Sequence, residues 1–288
     1  MTLKVKLKHL PKTHGGRLDN TVVFCNACED KKSRHDAVWM LEETLQSGDE
    51  ATDDFSHVGL TRLSNTPLVV KLMINGRKAQ QEKQVAEWFR ANPHYNIVQS
   101  ICTLSCLDNP IRWMHKITET TPQHFCGIGK TEFIIVFQEH IIDGNMRSKV
   151  FDVEQWRSIV SQLTFAVMEL YDKYGFLYGD WHFGNVLVDT TSDHSKTYKA
   201  FGKHWKVKNT TGLRPVLTDF SRSDLRNEKE DVQPWQLGTQ IAYVWDMLAN
   251  IASLQEYKDV CRELSIEVGM HDEAILKTVR QWMKAIDI

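Results

Sequence analysis

The 288-residue chain has no apolar run of about eighteen residues, which excludes a conventional membrane-spanning helix. Its N-terminal stretch, MTLKVKLKHLPK, is basic but lacks the uninterrupted apolar segment of a secretory signal, so a soluble, intracellular, cytoplasmic chain is expected. An excess of charge of one sign is missing as well: 35 Lys and Arg against 37 Asp and Glu leave a formal net charge of −2. That balance gives no global attraction to nucleic acid or to an anionic membrane and leaves only local patches open. Cysteine is scarce. The residues at 25, 28, 102, 106, 126 and 261 are too few and too unevenly spread for a disulfide framework, and reduced thiols are expected. Cys25 and Cys28 form a CxxC with no second pair at suitable spacing, so structural thiols are preferred there to a zinc site. What is present is 42% apolar and 25% charged residues, the profile of a folded globule of one large or two small domains.

Residues 1–37 are polar and mixed and read as an N-terminal extension. An acidic run, SGDEATDD, precedes PLVVKLMI, a short β-branched strand with Lys71 in its middle. After the turn Asn75-Gly76, the segment AQQEKQVAEWFRAN repeats Val85, Trp88 and Phe89 at helical spacing and stops at Pro93. At roughly 100° per residue Glu82 falls beside Val85 and Phe89 on the packed face, whereas Glu87 points roughly 140° away. A lysine inside a strand and a carboxylate on a packed helix face each require a reason. The plain alternatives are an edge-strand solubility device for Lys71 and a solvated position for Glu82.

The strand EFIIVF leads into QEHIIDGN, and then DVEQWRSIVSQLTFAVMELYDKYG sets Trp156, Ile159, Val160, Leu163, Val167, Leu170, Tyr171 and Tyr174 at helical spacing. Three short strand-like pieces follow, FLYGD, NVLVD and PVLTDF. Helices close the chain, one through Trp235, Leu237, Ile241, Val244, Trp245 and Leu248, the last through Ile275, Val279, Trp282, Met283 and Ile286. Strands with one helix, then helices with a few short strands, predict an α+β protein with a β-rich front, an α-rich back and a ligand cleft.

The chemistry concentrates in YGFLYGDWHFGNVLVD, where Asn185 follows Asp180 by five positions, and in TDF, where Asp219 closes a later strand. Phosphoryl transfer from ATP needs magnesium on hard oxygen ligands, a carboxylate for the nucleophile's proton and a cation on the phosphates. Lys71, Asp180, Asn185 and Asp219 supply those groups in chain order.

On these residues the chain resembles the protein-kinase-like superfamily, whose catalytic loop is an aspartate, four residues and an asparagine. The resemblance covers roughly residues 45–250 and implies a bilobal fold, with a β-rich N-lobe at 38–140 and an α-helical C-lobe at 141–288 that carries an insert at 189–214. It also implies roles. Asp180 would orient the acceptor hydroxyl, Asn185 and Asp219 would bind Mg2+, Lys71 would anchor the ATP phosphates with Glu82 positioning it, and His182 would contact the γ-phosphate. Gln138-Glu139-His140-Ile141 is similar to the inter-lobe linker, with Glu139 and Ile141 binding the adenine, and Gly48 is the one glycine placed to cover the phosphates.

The loop GDWHFGN is similar both to the GDLHPGN of aminoglycoside phosphotransferases and to the His-x-Gly-Asn of haspin-like protein kinases. Several family features are missing. The glycine-rich loop is reduced to Gly48, Tyr178-Gly179 stands where protein kinases have His-Arg, Ser221 replaces the glycine of the DFG motif, and no APE triplet precedes the helix at Trp235. The segment after Asp219 is too short to form the usual peptide platform, and the short interval from Lys71 to Glu82 leaves Glu87 as an alternative partner. The insert interleaves Lys196, Lys199, Lys203, Lys206, Lys208 and Arg214 with Tyr198, Phe201 and Trp205. A grip on nucleic acid or an acidic partner is one reading. A hairpin with a solvated face, using the turn Asn209 to Gly212, is preferred.

The expectation is an ATP- and Mg2+-dependent Ser/Thr protein kinase of compact, divergent type, acting on a protein rather than a small molecule and having no membrane partner. In its compactness the chain is similar to kinases of large DNA viruses or other reduced lineages, which would place a viral protein in the host cell. A small-molecule kinase of the aminoglycoside phosphotransferase type and a pseudokinase acting as a binding module are the alternatives.

Overall fold

The computed structural model describes residues 3–6, 21–24, 41–47, 56–63, 66–106, 133–142, 144, 146, 149–225, 234–249 and 276–281. Gly48, Cys25, Cys28 and the residues Ile275, Trp282, Met283 and Ile286 of the expected last helix lie outside them, as do the side chains of Trp235 and Leu248. The chain is a mixed α and β protein that divides into two compact units, Met1–His94 with Val98–His140, and Tyr95–Ile97 with Ile141–Ile288. Among the described residues no helix is long and apolar enough to cross a membrane.

In the first unit β1 (Leu3–Lys6) pairs with β2 (Thr21–Phe24). A five-stranded antiparallel sheet is formed by β3 (Leu41–Ser47), β4 (Ser56–Leu63), β5 (Thr66–Ile74), β6 (Ser100–Cys106) and β7 (Phe133–Glu139), in the order β3-β4-β5-β7-β6. The strand PLVVKLMI is therefore the middle one. Side chains alternate across a strand, so Lys71 and Met73 share a face with their cross-strand partners Val136 and Ile134 on β7. Helix α1 (Arg77–Ala91) covers that face: Met73, Ala79, Ala86, Ile134 and Val136 form one buried cluster. Its buried positions, Ala79, Glu82, Val85, Ala86 and Phe89, recur at the 3.6-residue period of an amphipathic helix. The helix ends where Asn92 donates its backbone N–H and its Nδ2 to the carbonyl of Trp88, one residue before Pro93.

The second unit is organised around α2 (Val153–Tyr174). Asp152 and Gln155 close a capping box at its N-terminus, and Gly175, at φ 61°, supplies the left-handed residue that ends it. The helix is buried nearly all round. Among its inward polar groups, Ser161 and Thr164 donate to the carbonyls of Arg157 and Val160 one turn back, and Gln162 donates through Nε2 to the carbonyl of Leu213, 51 positions away. Helix α3 (Pro234–Ala249) buries Leu237, Ile241, Val244 and Trp245, and the Trp245 indole donates to Thr164 of α2 at 3.1 Å.

Short antiparallel pairs complete the unit: β8 (Phe176–Leu177) with β13 (Asp224–Leu225), β9 (Val186–Thr190) with β12 (Leu213–Leu217), and β10 (Ser195–Ala200) with β11 (Lys203–Lys208). The tripeptide Tyr95–Ile97 joins this unit through Asn96, which donates to the carbonyl of Pro215 and accepts from the N–H of Leu217 and the hydroxyl of Tyr198.

The insert is a hairpin, but its tight turn is not the one read from the sequence. Ala200 pairs with Lys203, and the two residues between them, Phe201 and Gly202, both have positive φ, at 52° and 68°. That is the primed two-residue turn suited to twisted strands. Its sequence was unpromising because a bulky residue rarely adopts the left-handed region. Here Phe201 is held by its N–H bond to Asp172 at 2.9 Å and by its ring against Tyr171. Residues 209–212 instead connect β11 to β12. The aromatic side chains of the hairpin face the fold: Tyr198 is fully buried, and both Tyr198 and Trp205 lie against Phe165 of α2. Lys199, His204, Lys206 and Lys208 are solvated.

Candidate active site

In the first unit, Lys71 is no edge residue. It lies on the middle strand, paired between Val58 and Val136, with 5% of its surface exposed. Its Nζ is 3.3 Å from Oε2 of Glu82, which is 0% exposed on the inner face of α1. Glu87 is exposed and accepts a hydrogen bond from the Thr103 hydroxyl, as its opposite direction on the helix predicts. The partner of Lys71 is Glu82. At the end of β7, Glu139 accepts from the N–H of Gln99 through Oε1 and donates its own N–H to the carbonyl of Gln99, both at 2.9 Å.

In the second unit the loop from Tyr178 to Asn185 runs from β8 to β9, and the segment from Thr218 to Ser223 runs from β12 to β13. The two are laced together. Antiparallel pairing of Val186 with Leu217 brings Asn185 opposite Thr218, whose N–H donates to the Asn185 carbonyl at 3.1 Å. The hydroxyl of Tyr178, itself buried, donates to the carbonyl of Thr218. Gly179 lies so close to the second segment that a Cβ there would stand 1.8 Å from the carbonyl oxygen of Arg222. Only glycine fits. From α3, Oε1 of Gln240 accepts both the N–H of Tyr178 and the indole N–H of Trp181, at 3.1 and 2.8 Å, so residues on either side of Asp180 hang from one atom.

Asp180 stands in this frame with its two carboxylate oxygens separately engaged. Asn185 donates Nδ2 to Oδ2 and to the Asp180 carbonyl, each at 3.2 Å, and Arg222 donates Nη1 to Oδ1 at 3.2 Å. His182 approaches with Nε2 3.8 Å from Oδ2, while its Nδ1 accepts the N–H of Gly184 at 3.0 Å. An accepting Nδ1 leaves the ring proton on Nε2, the nitrogen that faces Asp180. A Cβ at Gly184 would stand 2.9 Å from the His182 ring, so a side chain there would have to displace the imidazole.

Asn185 and Asp219 each carry oxygen atoms of the hard kind that a magnesium ion takes. Because both bonds from Nδ2 of Asn185 go to Asp180, the amide oxygen is turned away from that carboxylate and has the hard oxygen character a magnesium ion takes. Asp219 follows Thr218 directly and adopts a left-handed backbone at φ 61°, which aspartate tolerates better than most residues. Its Oδ1 accepts from the N–H and hydroxyl of Ser221, at 3.3 and 2.8 Å, which fixes the turn. Such conformations gather at functional sites. Among the described residues no group of three or more His, Cys, Asp or Glu could hold a metal by side chains alone. Magnesium in phosphotransfer sites is characteristically completed by phosphate and water.

The residues named from the sequence thus fall into two sets. Lys71, Glu82 and Glu139 belong to the first unit, where Lys71 meets Glu82; Ile141, Asp180, His182, Asn185 and Asp219 belong to the second, where Asp180, His182, Asn185 and the Thr218-Asp219 turn are gathered. Ile141 is buried at the start of the second unit, and Gly48 lies outside the described residues. Sequence reading missed Arg222, Gln240 and the need for glycine at 179. A scan against protein-family models finds no match to the chain, and a search of curated proteins finds none.

Proposed function

We propose that the chain is an ATP- and magnesium-dependent phosphotransferase, a divergent Ser/Thr protein kinase whose first unit is the β-rich N-lobe and whose second unit is the helical C-lobe of a kinase-like fold. The observation that carries this reading is the Asp180 loop. One carboxylate has both its oxygens oriented by Asn185 and Arg222, in a backbone frame that admits no side chain at position 179 and is continuous with Asp219. A fixed, partly exposed carboxylate is the group needed to accept the proton of a hydroxyl as that oxygen attacks phosphorus. The buried Lys71–Glu82 pair supports the same reading. A buried ion pair contributes little net stability compared with apolar residues of similar size, so a use for the ammonium group is the better account of its presence.

In the proposed reaction Asp180 receives the hydroxyl proton while the γ-phosphoryl group moves from ATP to the acceptor oxygen and ADP leaves. Asn185 and Asp219 would hold magnesium, which supplies charge neutralisation on the phosphates when bound. Lys71, kept in place by Glu82, binds the phosphates as a cation. His182, whose Nε2–H faces Asp180, contributes a donor beside the acceptor. A small-molecule acceptor is the second reading, favoured by the short path from Asp219 to Pro234, where α3 begins.

The first test is a thermal-shift titration with ATP. Stabilisation that requires magnesium supports the proposal, since a ligand bound only by the folded state raises its stability by mass action. The second is transfer from labelled ATP to generic protein substrates and to hydroxylated metabolites, with Asp180→Ala as the control. Transfer that persists in that variant, or none from the parent chain to any acceptor, would overturn the assignment.

A further inference from the structure

We infer that Arg222 is the positioning residue for Asp180, fixing the plane of the carboxylate for the acceptor hydroxyl; this rests on the phosphotransferase reading above. Three observations meet at this arginine. Its Nη1 lies 3.2 Å from Oδ1 of Asp180, across 42 positions of sequence. Its backbone is locked opposite the loop, because its carbonyl fills the space a Cβ at Gly179 would need and because β13 begins two residues later by pairing with β8. The side chain nonetheless remains 58% exposed.

A carboxylate with one oxygen bonded can still swing about its Cβ–Cγ bond. Held at Oδ2 by Asn185 and at Oδ1 by Arg222, the Asp180 carboxylate cannot, and its remaining lone pairs keep one direction. His182, which also approaches Asp180, does not substitute for the guanidinium: its Nε2 stands farther away, at 3.8 Å, and its second nitrogen is occupied by the Gly184 N–H. Among the described residues the guanidinium is therefore a permanent positive charge beside this carboxylate. Its exposure argues against a mainly structural role, because a pair open to solvent adds little to stability.

The experiment compares the parent chain with Arg222→Ala, Arg222→Lys and Asp180→Ala by steady-state transfer from labelled ATP and by thermal denaturation. Arg222→Ala is expected to keep the parent melting temperature and its KM for ATP but to lose about 10- to 100-fold in kcat, the size of effect that misplacing a reacting group produces. Free guanidinium chloride at low millimolar concentration should restore part of that loss in Arg222→Ala and none in Asp180→Ala. Arg222→Lys should fall between. An unchanged kcat in Arg222→Ala, or a loss that guanidinium does not relieve, overturns the positioning role while Asp180→Ala still reports on the chemistry. Failure of the parent chain to transfer phosphate at all overturns the phosphotransferase reading and this inference with it.

Discussion

The two units each contain a cation paired with a carboxylate, and the pairs differ most in their access to water. Lys71 and Glu82 have side chains 6% and 0% exposed at 3.3 Å, between a sheet and a helix; Arg222 and Asp180 are 58% and 23% exposed at 3.2 Å, between two loops. Distance is nearly the same and surroundings are opposite. Charges taken out of water need each other, because removing one strands the other. Charges at the surface are screened and separately solvated, so their pairing sets geometry more than stability. The first pair is therefore expected to be indispensable to the fold of its unit as long as either member is present, the second only to what the loop does.

The sharpest way to break this comparison is to replace one member and then both. Glu82→Ala should lower unfolding stability by about 3–5 kcal/mol, measured by urea denaturation, because the buried Lys71 ammonium loses the carboxylate 3.3 Å from it. The double variant Lys71→Met with Glu82→Leu should recover most of that loss while abolishing magnesium-dependent stabilisation by ATP. A double variant as unstable as the single one would show that the pair is there for the fold.

Gly179→Ala comes next. With its Cβ placed 1.8 Å from a backbone oxygen, the two segments must separate, at a cost of about 1–3 kcal/mol or more and with loss of transfer activity. Wild-type activity would mean that the close approach is dispensable. Arg222→Met, by contrast, should change stability by less than about 1 kcal/mol, in keeping with its exposure.

The smallest effect concerns Cys102, buried on β6, whose thiol is pushed up to about 12 by burial, with a small opposing influence from Arg90. A thiol that holds its proton more tightly when folded contributes stability that is complete below its ordinary value of 9.0 and is lost as pH rises toward 12. Read only up to about pH 9, where the loss has just begun, the expected result is a small alkaline loss of stability that Cys102→Ala removes, and slow labelling of this thiol by iodoacetamide at neutral pH.

Much of the architecture was legible because it follows from periodicity. The inward direction of Glu82 and the outward direction of Glu87 came from 100° per residue, and the long helix from apolar residues at its spacing. The Asp180-to-Asn185 spacing carried the loop. What periodicity does not encode is which distant segments touch. Gln240 reaches Tyr178 across 62 positions, and Arg222 reaches Asp180 across 42. Nothing in the local sequence of either residue announces it. The glycine at 179 did carry a signal, since a glycine directly before the proposed catalytic aspartate implies a close approach, but its partner could only be seen in three dimensions. Phe201 in a left-handed turn defeated turn chemistry outright, because contacts with α2 outweigh the intrinsic preference of the residue.

The amide oxygen of Gln240, shared between Tyr178 and Trp181, makes helix α3 a mechanical lever on the aspartate between them. Any change at Gln240 is therefore felt on both sides of Asp180 at once, through bonds to its neighbours rather than to the carboxylate itself.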